Sequence, residues 1–218
     1  MTLPDWIASE TLQDRHLPLI ETERLVLRAP RLEDAKTIAT LVNDRRIAEN
    51  TLRIPHPYGI VDAQRYITGA NANSGETAFL ITRRDTTVLG ACGIAERAGA
   101  EPEIGYWLAV AFWGEGYATE AARAVIDYAF DVLGYEVLRG GARVSNPASR
   151  RVLEKCGFQW TGVGLYRIRA LASSAPVDRF RLDRRLWASL KSWSKIKRSY
   201  NSLVLSSSPS HPAKSKPQ

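Results

Sequence analysis

The sequence contains few of the residues that build metal, redox and disulfide sites. Among its 218 residues there are two cysteines and three histidines. Cys92 and Cys156 each stand alone among apolar neighbours, without the close spacing of a zinc or dithiol motif. We therefore expect two reduced core cysteines and no metal site, and the pattern favours a cytoplasmic compartment.

Long apolar runs are absent as well. No window of about 18 consecutive apolar residues occurs, so no membrane-spanning helix is predicted. Residues 1–19 carry acidic side chains and lack an apolar block behind a basic start, so they do not resemble a secretory signal. The apolar fraction is nevertheless 44%, which suffices for the core of a globular domain.

Acidic residues are missing from the C-terminal end. From Lys191 onward the chain has six Lys or Arg and no Asp or Glu. Removing these six from the 30 basic residues leaves 24 against 23 acidic ones, so 1–190 is nearly neutral although the chain carries +7. We therefore expect no specific nucleic-acid binding by the main body, and a basic, largely disordered tail over 191–218.

The rest of the chain is predicted to hold an N-terminal extension over 1–20 and one domain over 21–190. Apolar runs and alternation predict strands, and 3.6-residue periodicity predicts helices. Short turns between the three middle strands indicate an antiparallel meander. In chain order we predict a strand at 23–30, helices at 31–44 and 61–70, strands at 77–84, 86–96 and 102–110, a helix at 117–134, a strand at 136–144, a helix at 146–158, and strands at 163–170 and 178–186.

The segment "FWGEGYATEA" (112–121) places two glycines between a predicted buried strand and a predicted helix. Gly114 and Gly116 lack Cβ, so they permit a tight turn. They equally permit backbone N–H groups to close on an anion, because helix N-termini carry unpaired donors and partial positive charge. The third glycine of a dinucleotide fold and the Gly-Lys-Ser/Thr of a P-loop are absent. The motif alone leaves a plain turn and a phosphate site open.

Four stretches together resemble the GNAT family of acetyltransferases. They are "IETERLVLRAP", "EIGYWLAVAFWGEGYATEA", "NPASRRVLEKCGF" and "DRFRLDRRLW". The order of predicted elements over 21–190 is also similar to the GNAT fold, and the motifs resemble the branch of the ribosomal-protein alanine N-acetyltransferases. The resemblance implies an α/β (α+β) fold whose mixed, mostly antiparallel sheet is flanked by helices and splayed at the strand that binds acetyl-CoA.

The same resemblance implies an activity. We expect a monomeric or homodimeric enzyme that moves an acetyl group from acetyl-CoA to a primary amine, with a protein N-terminal α-amine as the first expectation. Two alternatives stay open. One is a small amine as the acceptor, such as an amino acid, a polyamine or an aminoglycoside, and the other is a non-catalytic module that binds acyl-CoA.

Acetyl-CoA, as co-substrate, is expected at the glycine turn and along the strand before it. The resemblance places the pyrophosphate on backbone N–H groups of the turn, and the pantetheine arm beside the freed backbone of 104–110. One N–H near 108–110 would polarise the thioester carbonyl. A CoA contact is also expected at Asn146, although an N-cap role explains that residue equally well. The full set of expected contacts is Trp107, Leu108, Ala109, Val110, Gly114, Glu115, Gly116, Tyr117, Ala118, Thr119, Asn146 and Ser149.

The catalytic acid and base are predicted at Ser149 and Glu103. Many GNAT enzymes use a tyrosine of an "LYEKLGF"-type helix to protonate the leaving thiolate, but this sequence has Leu153 at that position. Ser149 matches a serine of this branch that acts directly or through a water, and the alternative is a hydroxyl that only contacts CoA. Glu103 is expected to accept the amine proton through a water, and the alternative is a solvated carboxylate at a strand end.

The acceptor is expected at His56 and Tyr58, in the proline-rich loop "RIPHPYG", and at Asp178. His56 is alternatively a base or a merely exposed residue, and Asp178 alternatively caps the last strand. Acceptor specificity is expected in loops over 45–60 and 165–178, which carry no readable code for a particular amine.

Overall fold

The computed structural model describes residues 17–72 and 75–193. Within these ranges the strands are β1 (Ile20–Glu21), β2 (Leu25–Arg28), β3 (Glu76–Arg83), β4 (Val88–Ala95), β5 (Glu103–Leu108), β6 (Val137–Arg143), β7 (Gln159–Ile168) and β8 (Ser173–Asp183). The helices are α1 (Ala35–Val42), α2 (Arg45–Ala48), α3 (Ile60–Asn71), α4 (Tyr117–Asp131) and α5 (Pro147–Lys155), and 184–193 is helical as well. None of the described helices is both long and apolar enough to cross a membrane.

The strands form one mixed sheet in the order β1-β2-β3-β4-β5-β6-β8-β7. β5 runs antiparallel to β4 along its whole length, from Glu103 to Leu108. On its other side it pairs in parallel with β6 at only two positions, Glu103 with Arg139 and Ile104 with Gly140. Beyond Ile104 the two strands diverge and leave a wedge-shaped opening in the sheet, which confirms the predicted splay.

Apolar side chains cover both faces of the sheet. α4 packs its stripe of Ala121, Val125, Ile126 and Phe130 against one face, together with Leu153 of α5. α1 and α3 cover the other face near Leu80. Because the wedge lies between these two layers, a ligand in it can be reached from either side of the sheet.

Backbone signals at both predicted helix ends are confirmed. Gly116 precedes α4 with a φ of +82°, and Gly134 follows it with a φ of +72°, in the left-handed region that glycine accepts most readily. Asn146 caps α5 through its side-chain oxygen, which accepts the N–H of Ser149 at 3.1 Å. Pro147 occupies the first helical position, as the sequence predicted.

The late part of the chain differs from the prediction. The expected loop at 171–177 is largely strand, because β8 begins at Ser173 and pairs with β7 from Ile168 onward. The predicted strand to residue 186 ends at Asp183, and helix follows. That helix is held by Trp187, whose ring packs 5.0 Å from Phe130 and whose Nε1 donates to Asp127 at 2.7 Å. Tertiary packing therefore overrides the local strand signal.

The N-terminal boundary also lies slightly earlier than expected. Ile20 belongs to β1, and Leu17 and Ile20 pack against the main core. The rest of the predicted extension, 1–16, and the tail from 194 to 218 lie outside the described residues.

Candidate active site

The glycine turn forms an exposed platform at the start of α4. Gly114 and Gly116 both have left-handed φ values, +86° and +82°. An added Cβ at Gly114 would meet nothing within 4 Å, so the backbone there is open to a ligand. The N–H groups of Tyr117, Ala118 and Thr119 fall in the first helical turn, where no carbonyl of the helix can accept them. The turn therefore presents backbone donors and the positive end of a 15-residue helix to an anion.

Glu120 lies in the first turn of α4, but hydrogen bonds hold its carboxylate away from the glycine turn. Glu120 accepts from the Thr22 hydroxyl at 2.7 Å, and from the backbone N–H and Nε of Arg24 at 2.9 and 2.7 Å. Burial alone would raise the pKa of Glu120, but these hydrogen bonds outweigh it and hold the pKa below its usual range. The acid is thus ionised and already neutralised by Arg24, so it repels a bound phosphate little.

Arg24 also fixes the turn itself. Its Nη1 donates to the carbonyl oxygen of Glu115 at 3.0 Å, and its guanidinium lies 4.5 Å from the centre of the Tyr117 ring. Trp113, just before Gly114, donates its indole N–H to the carbonyl of Leu108 at the end of β5, at 2.8 Å. The sequence analysis did not single out Arg24. The motif "TERL" could have drawn attention to it, but a partner about 90 residues away cannot be read from one sequence.

Free backbone groups of β5 point into the wedge. The N–H of Ala109 donates to Leu89 beside β4, whereas the carbonyl of Pro102 accepts the N–H of Arg139 on β6. Because successive residues of a strand alternate their backbone groups, even-numbered residues of β5 face β6. After β6 diverges, the N–H groups of Tyr106 and Leu108 have no strand opposite them. β5 therefore has a free backbone edge here, and of the donors expected over 108–110, Leu108 lies on it whereas the Ala109 N–H is engaged by Leu89.

A hydroxyl pair lies beside that edge. The Tyr106 hydroxyl and Ser149 Oγ are 3.0 Å apart, and the same Tyr106 oxygen lies 3.1 Å from the Ser149 carbonyl. Burial raises the pKa of Tyr106, with the Ser149 hydrogen bond opposing it, so the phenol keeps its proton at neutral pH. Tyr106 was not predicted as a site residue. Its position in the strand motif "IGYWL" indicated only a buried strand, and its contact with Ser149 depends on the packing of α5.

A cleft of about 440 Å³ adjoins the wedge. Its lining includes Trp107, which packs on the α1 and α3 side, and also Tyr106 and Ser149, which lie on the α4 and α5 side. The cleft therefore passes through the sheet where the strands diverge. Glu103 lines it too, and a Cβ added at Gly141 of β6 would lie 3.6 Å from the Glu103 carboxylate.

Tyr58 belongs to the cleft wall, as predicted for a substrate residue. Its backbone N–H donates to Asn43 Oδ1 at 2.9 Å, and burial raises the pKa of its hydroxyl to about 12. His56, two residues earlier, is exposed and does not line the cleft. The structure thus brings together Glu103, Ser149 and Tyr58, but not His56.

Asp178 lies on the wrong side of β8 to meet an acceptor. Its neighbour Val177 lines the cleft, and successive strand residues point to opposite faces. The buried Asp178 carboxylate instead accepts from the Trp160 indole at 2.8 Å and from Arg150 at 3.3 Å. It is a structural link between β7, β8 and α5, and neither it nor His56 is retained in the acceptor site.

The part of the chain that the structure describes contains no group of side chains that could hold a metal ion. Over 17–72 and 75–193, no three His, Cys, Asp or Glu side chains cluster closely enough to hold an ion. Burial raises the pKa of the Cys156 thiol to about 11, which keeps it protonated and weakly nucleophilic. The groups available for chemistry are therefore backbone donors, hydroxyls and carboxylates.

Comparison with known proteins decides the family. The pattern of the family described as "Acetyltransferase (GNAT) domain" matches residues 24–159. The chain belongs to the GNAT acetyltransferases. The uncharacterized N-acetyltransferase YoaA of Bacillus subtilis (strain 168) is 31% identical over 154 residues, which cover 67% of this chain and 85% of YoaA. This GNAT protein is therefore an acetyl-CoA-dependent N-acetyltransferase, and the alternative of a non-catalytic module is set aside.

Solved GNAT structures share the fold. Spermidine N-acetyltransferase from Vibrio cholerae, in complex with CoA and spermine, has a TM-score of 0.66 at 20% identity, and the match covers 77% of this chain and 99% of that one. Mycobacterium smegmatis RimJ, in complex with CoA-disulfide, has a TM-score of 0.65 at 19% identity and coverages of 74% and 82%. At this identity the likeness shows the fold alone, so the acceptor of our GNAT protein has to be argued from its own cleft.

Proposed function

We propose that this enzyme acetylates the α-amine at the N-terminus of a protein or peptide. The observation that carries the proposal is the cleft that passes through the splayed sheet, with Trp107 on one face and Tyr106 and Ser149 on the other. The thioester can enter between β5 and β6 from the glycine turn, while the amine approaches from the α1 and α3 side. The cleft is open to solvent, so a peptide can place its first residues in the volume of about 440 Å³ while the rest of its chain stays outside.

The glycine turn supports the placement of the cofactor. Backbone N–H groups from Gly114 to Thr119 bind the pyrophosphate, and the pantetheine arm pairs with the free edge of β5 at Tyr106 and Leu108. The N–H of Tyr106, the free donor nearer to Glu103, then polarises the thioester carbonyl, in place of a donor at 108–110. One such donor is typically worth about 3 to 4 kcal/mol of barrier in acyl transfer.

Attack by the amine is direct, without an acyl-enzyme. The amine nitrogen forms a bond to the thioester carbon and loses one proton to Glu103 through a water, and the carbon–sulfur bond then breaks. A peptide α-amine has an ordinary pKa of about 8, so the base has to remove a proton only from a group that is already partly neutral. A half-buried carboxylate at the start of β5, in the wall of the cleft, therefore suffices for the task.

The leaving thiolate gains its proton from the hydroxyl pair. Ser149 Oγ gives its proton to sulfur and regains one from water in the open cleft, while the Tyr106 hydroxyl, 3.0 Å away, stays protonated and holds Ser149 Oγ in place by a hydrogen bond. Leu153 stands where many GNAT enzymes have a tyrosine, and it is buried, with 1% of its surface exposed. The hydroxyl pair therefore takes the role of that tyrosine.

A panel of acceptors tests the proposal. Thiol release from acetyl-CoA is followed with free N-terminal peptides, with the same peptides carrying a blocked N-terminus, and with spermidine, an aminoglycoside and free amino acids. We expect release with the free peptides, none with the blocked ones, and an acetyl group at the α-amine by mass spectrometry. Faster release with a polyamine or an aminoglycoside than with every peptide would contradict the proposal.

A further inference from the structure

The acceptor cleft contains more arginine than carboxylate. Five arginines contribute to its lining, and three acids oppose them. The arginines are Arg53, Arg65, Arg97, Arg143 and Arg169, and the acids are Asp62, Glu76 and Glu103. The excess of positive charge is local, because residues 1–190 are nearly neutral as a whole.

Part of the negative charge is already engaged within the protein. Glu76 forms an ion pair with Arg53, and Asp62 accepts the backbone N–H of Gly59 at 3.0 Å at the start of α3. The ion pairs among the described residues leave the other four arginines without a carboxylate partner. A polycationic acceptor would meet repulsion here, whereas an anionic group would find several donors.

Arg143 is the best placed of these donors. Its Nη1 donates to the carbonyl of Glu49 at 2.8 Å, which fixes the side chain, and its Nε is buried without a hydrogen-bond partner. The guanidinium is therefore held in a fixed position in the cleft wall, where its Nη2 has no hydrogen-bond partner among the described residues and can meet a ligand oxygen.

The position of Arg143 relative to Glu103, the proposed base, indicates which residue of the acceptor peptide carries the ligand oxygen. Gly141 lies beside the Glu103 carboxylate, and Arg143 follows two residues later on the same face of β6. Two strand residues span roughly 7 Å, and an extended peptide advances about 3.5 Å per residue. An amine held near Glu103 therefore places the second or third residue of the peptide at Arg143.

The phosphates of acetyl-CoA do not account for these arginines. The pyrophosphate platform belongs to α4, which packs on one face of the sheet, whereas Arg143 lies on the opposite face, on the same side of β6 as Gly141 and the Glu103 carboxylate. Arg169 lies on the acceptor side as well, since its backbone N–H donates to the carbonyl oxygen of Leu52, in the loop over 45–60, at 3.1 Å.

We propose that the acceptor is a peptide N-terminus with a carboxylate at its second or third residue, bound by Arg143 with help from Arg169. This inference rests on the proposed function and narrows it. It also excludes spermidine-like polyamines as the natural acceptor, because their charges match the sign of the lining.

A charge series of peptides tests the inference. Three peptides of equal length share the first residue and carry Glu, Gln or Lys at positions two and three. We expect kcat/KM to be at least tenfold higher for the Glu peptide than for the Gln peptide, and lowest for the Lys peptide. In Arg143→Gln the ratio between the Glu and Gln peptides should fall toward one.

Two further variants keep the test decisive. Arg169→Gln should lower the same ratio, and it leaves the hydrogen bond between Arg143 and the Glu49 carbonyl intact. It therefore tests the inference even if Arg143→Gln does not fold. Arg84→Gln removes one exposed positive charge outside the cleft and should leave the ratio unchanged. Equal rates for all three peptides, or a preference for Lys, would overturn the inference while the proposed function stands. Absence of acetylation on every peptide would overturn both.

Discussion

At the scale of single residues, the proposed mechanism uses a pair of hydroxyls, Ser149 and Tyr106, rather than a single acid. Sequence comparison of the helix "VLEKCGF" showed that the usual tyrosine is replaced by Leu153, and it directed attention to Ser149. The structure adds Tyr106, from a strand 43 positions earlier, at hydrogen-bond distance from Ser149. Because burial raises the pKa of Tyr106, its phenol keeps its proton and can hold Ser149 Oγ by a hydrogen bond while Ser149 serves the thiolate.

Ser149→Ala should lower kcat by roughly ten- to a thousandfold, within the usual range of acid–base assistance, while the KM for acetyl-CoA changes less. Tyr106→Phe should lower kcat in the same direction but by a smaller factor, because Ser149 can still bond to water. Steady-state kinetics with a peptide acceptor at several pH values provides both parameters.

Glu103→Gln is the matched comparison for these variants. It should flatten the acidic limb of the pH–rate profile, whereas Ser149→Ala keeps that limb and lowers the whole curve. If Ser149 only contacts CoA, its loss raises KM and leaves kcat unchanged. Full kcat in both the Ser149 and the Tyr106 variants would show that positioning and backbone polarisation carry the reaction alone.

At the scale of elements, the proposed CoA site lies at the junction between β5 and α4. The strand supplies unpaired backbone groups where β6 diverges, the turn supplies two left-handed glycines, and the helix supplies its positive end. Arg24 joins the junction to β2 through the Glu115 carbonyl and the Glu120 carboxylate. The turn is thereby shaped before the ligand arrives, which lowers the entropic cost of binding.

Gly116→Val should weaken CoA binding at least tenfold, about 1.4 kcal/mol, because the side chain intrudes on the pyrophosphate site. Calorimetric titration with CoA measures the change. Gly116 has a left-handed φ, so part of any effect is backbone strain. Gly99→Val is the matched control, since Gly99 has a φ of +75° and open space around it, in the turn between β4 and β5. Unchanged CoA affinity in a folded Gly116→Val protein would remove the pyrophosphate from this turn.

Local signals predicted most elements but not all of them. The stripe of α4 and the cap and proline of α5 are written in adjacent residues, so the helices could be assigned from the sequence. The strand β8 and the helix after it could not, because Pro176 and two serines suggested a loop, while pairing with β7 and the packing of Trp187 decide the outcome. His56 and Asp178 failed as site residues for a similar reason, since the direction of a side chain is set by its neighbours in space.

At the scale of the whole molecule, we propose that the two substrates enter from opposite faces of one sheet. The charges follow the proposed division, with the positive end of α4 on the face assigned to CoA and the cleft arginines on the face assigned to the acceptor. The sequence alone supplied the family and the cofactor through its motifs. It could not supply the acceptor, because the five arginines of the cleft come from separate segments of the chain and show no pattern along it.

The most direct test of this account is residue-resolved amide hydrogen exchange by NMR, with and without CoA. If the pantetheine arm pairs with the open edge of β5, CoA should slow exchange at Tyr106 and Leu108, and at Tyr117, Ala118 and Thr119 in the turn. Gly105 and Trp107, whose amides already face β4, should change little and serve as internal controls. Protection at Gly105 and Trp107 with none at Tyr106 and Leu108, or protection confined to other parts of the protein, would contradict the central claim.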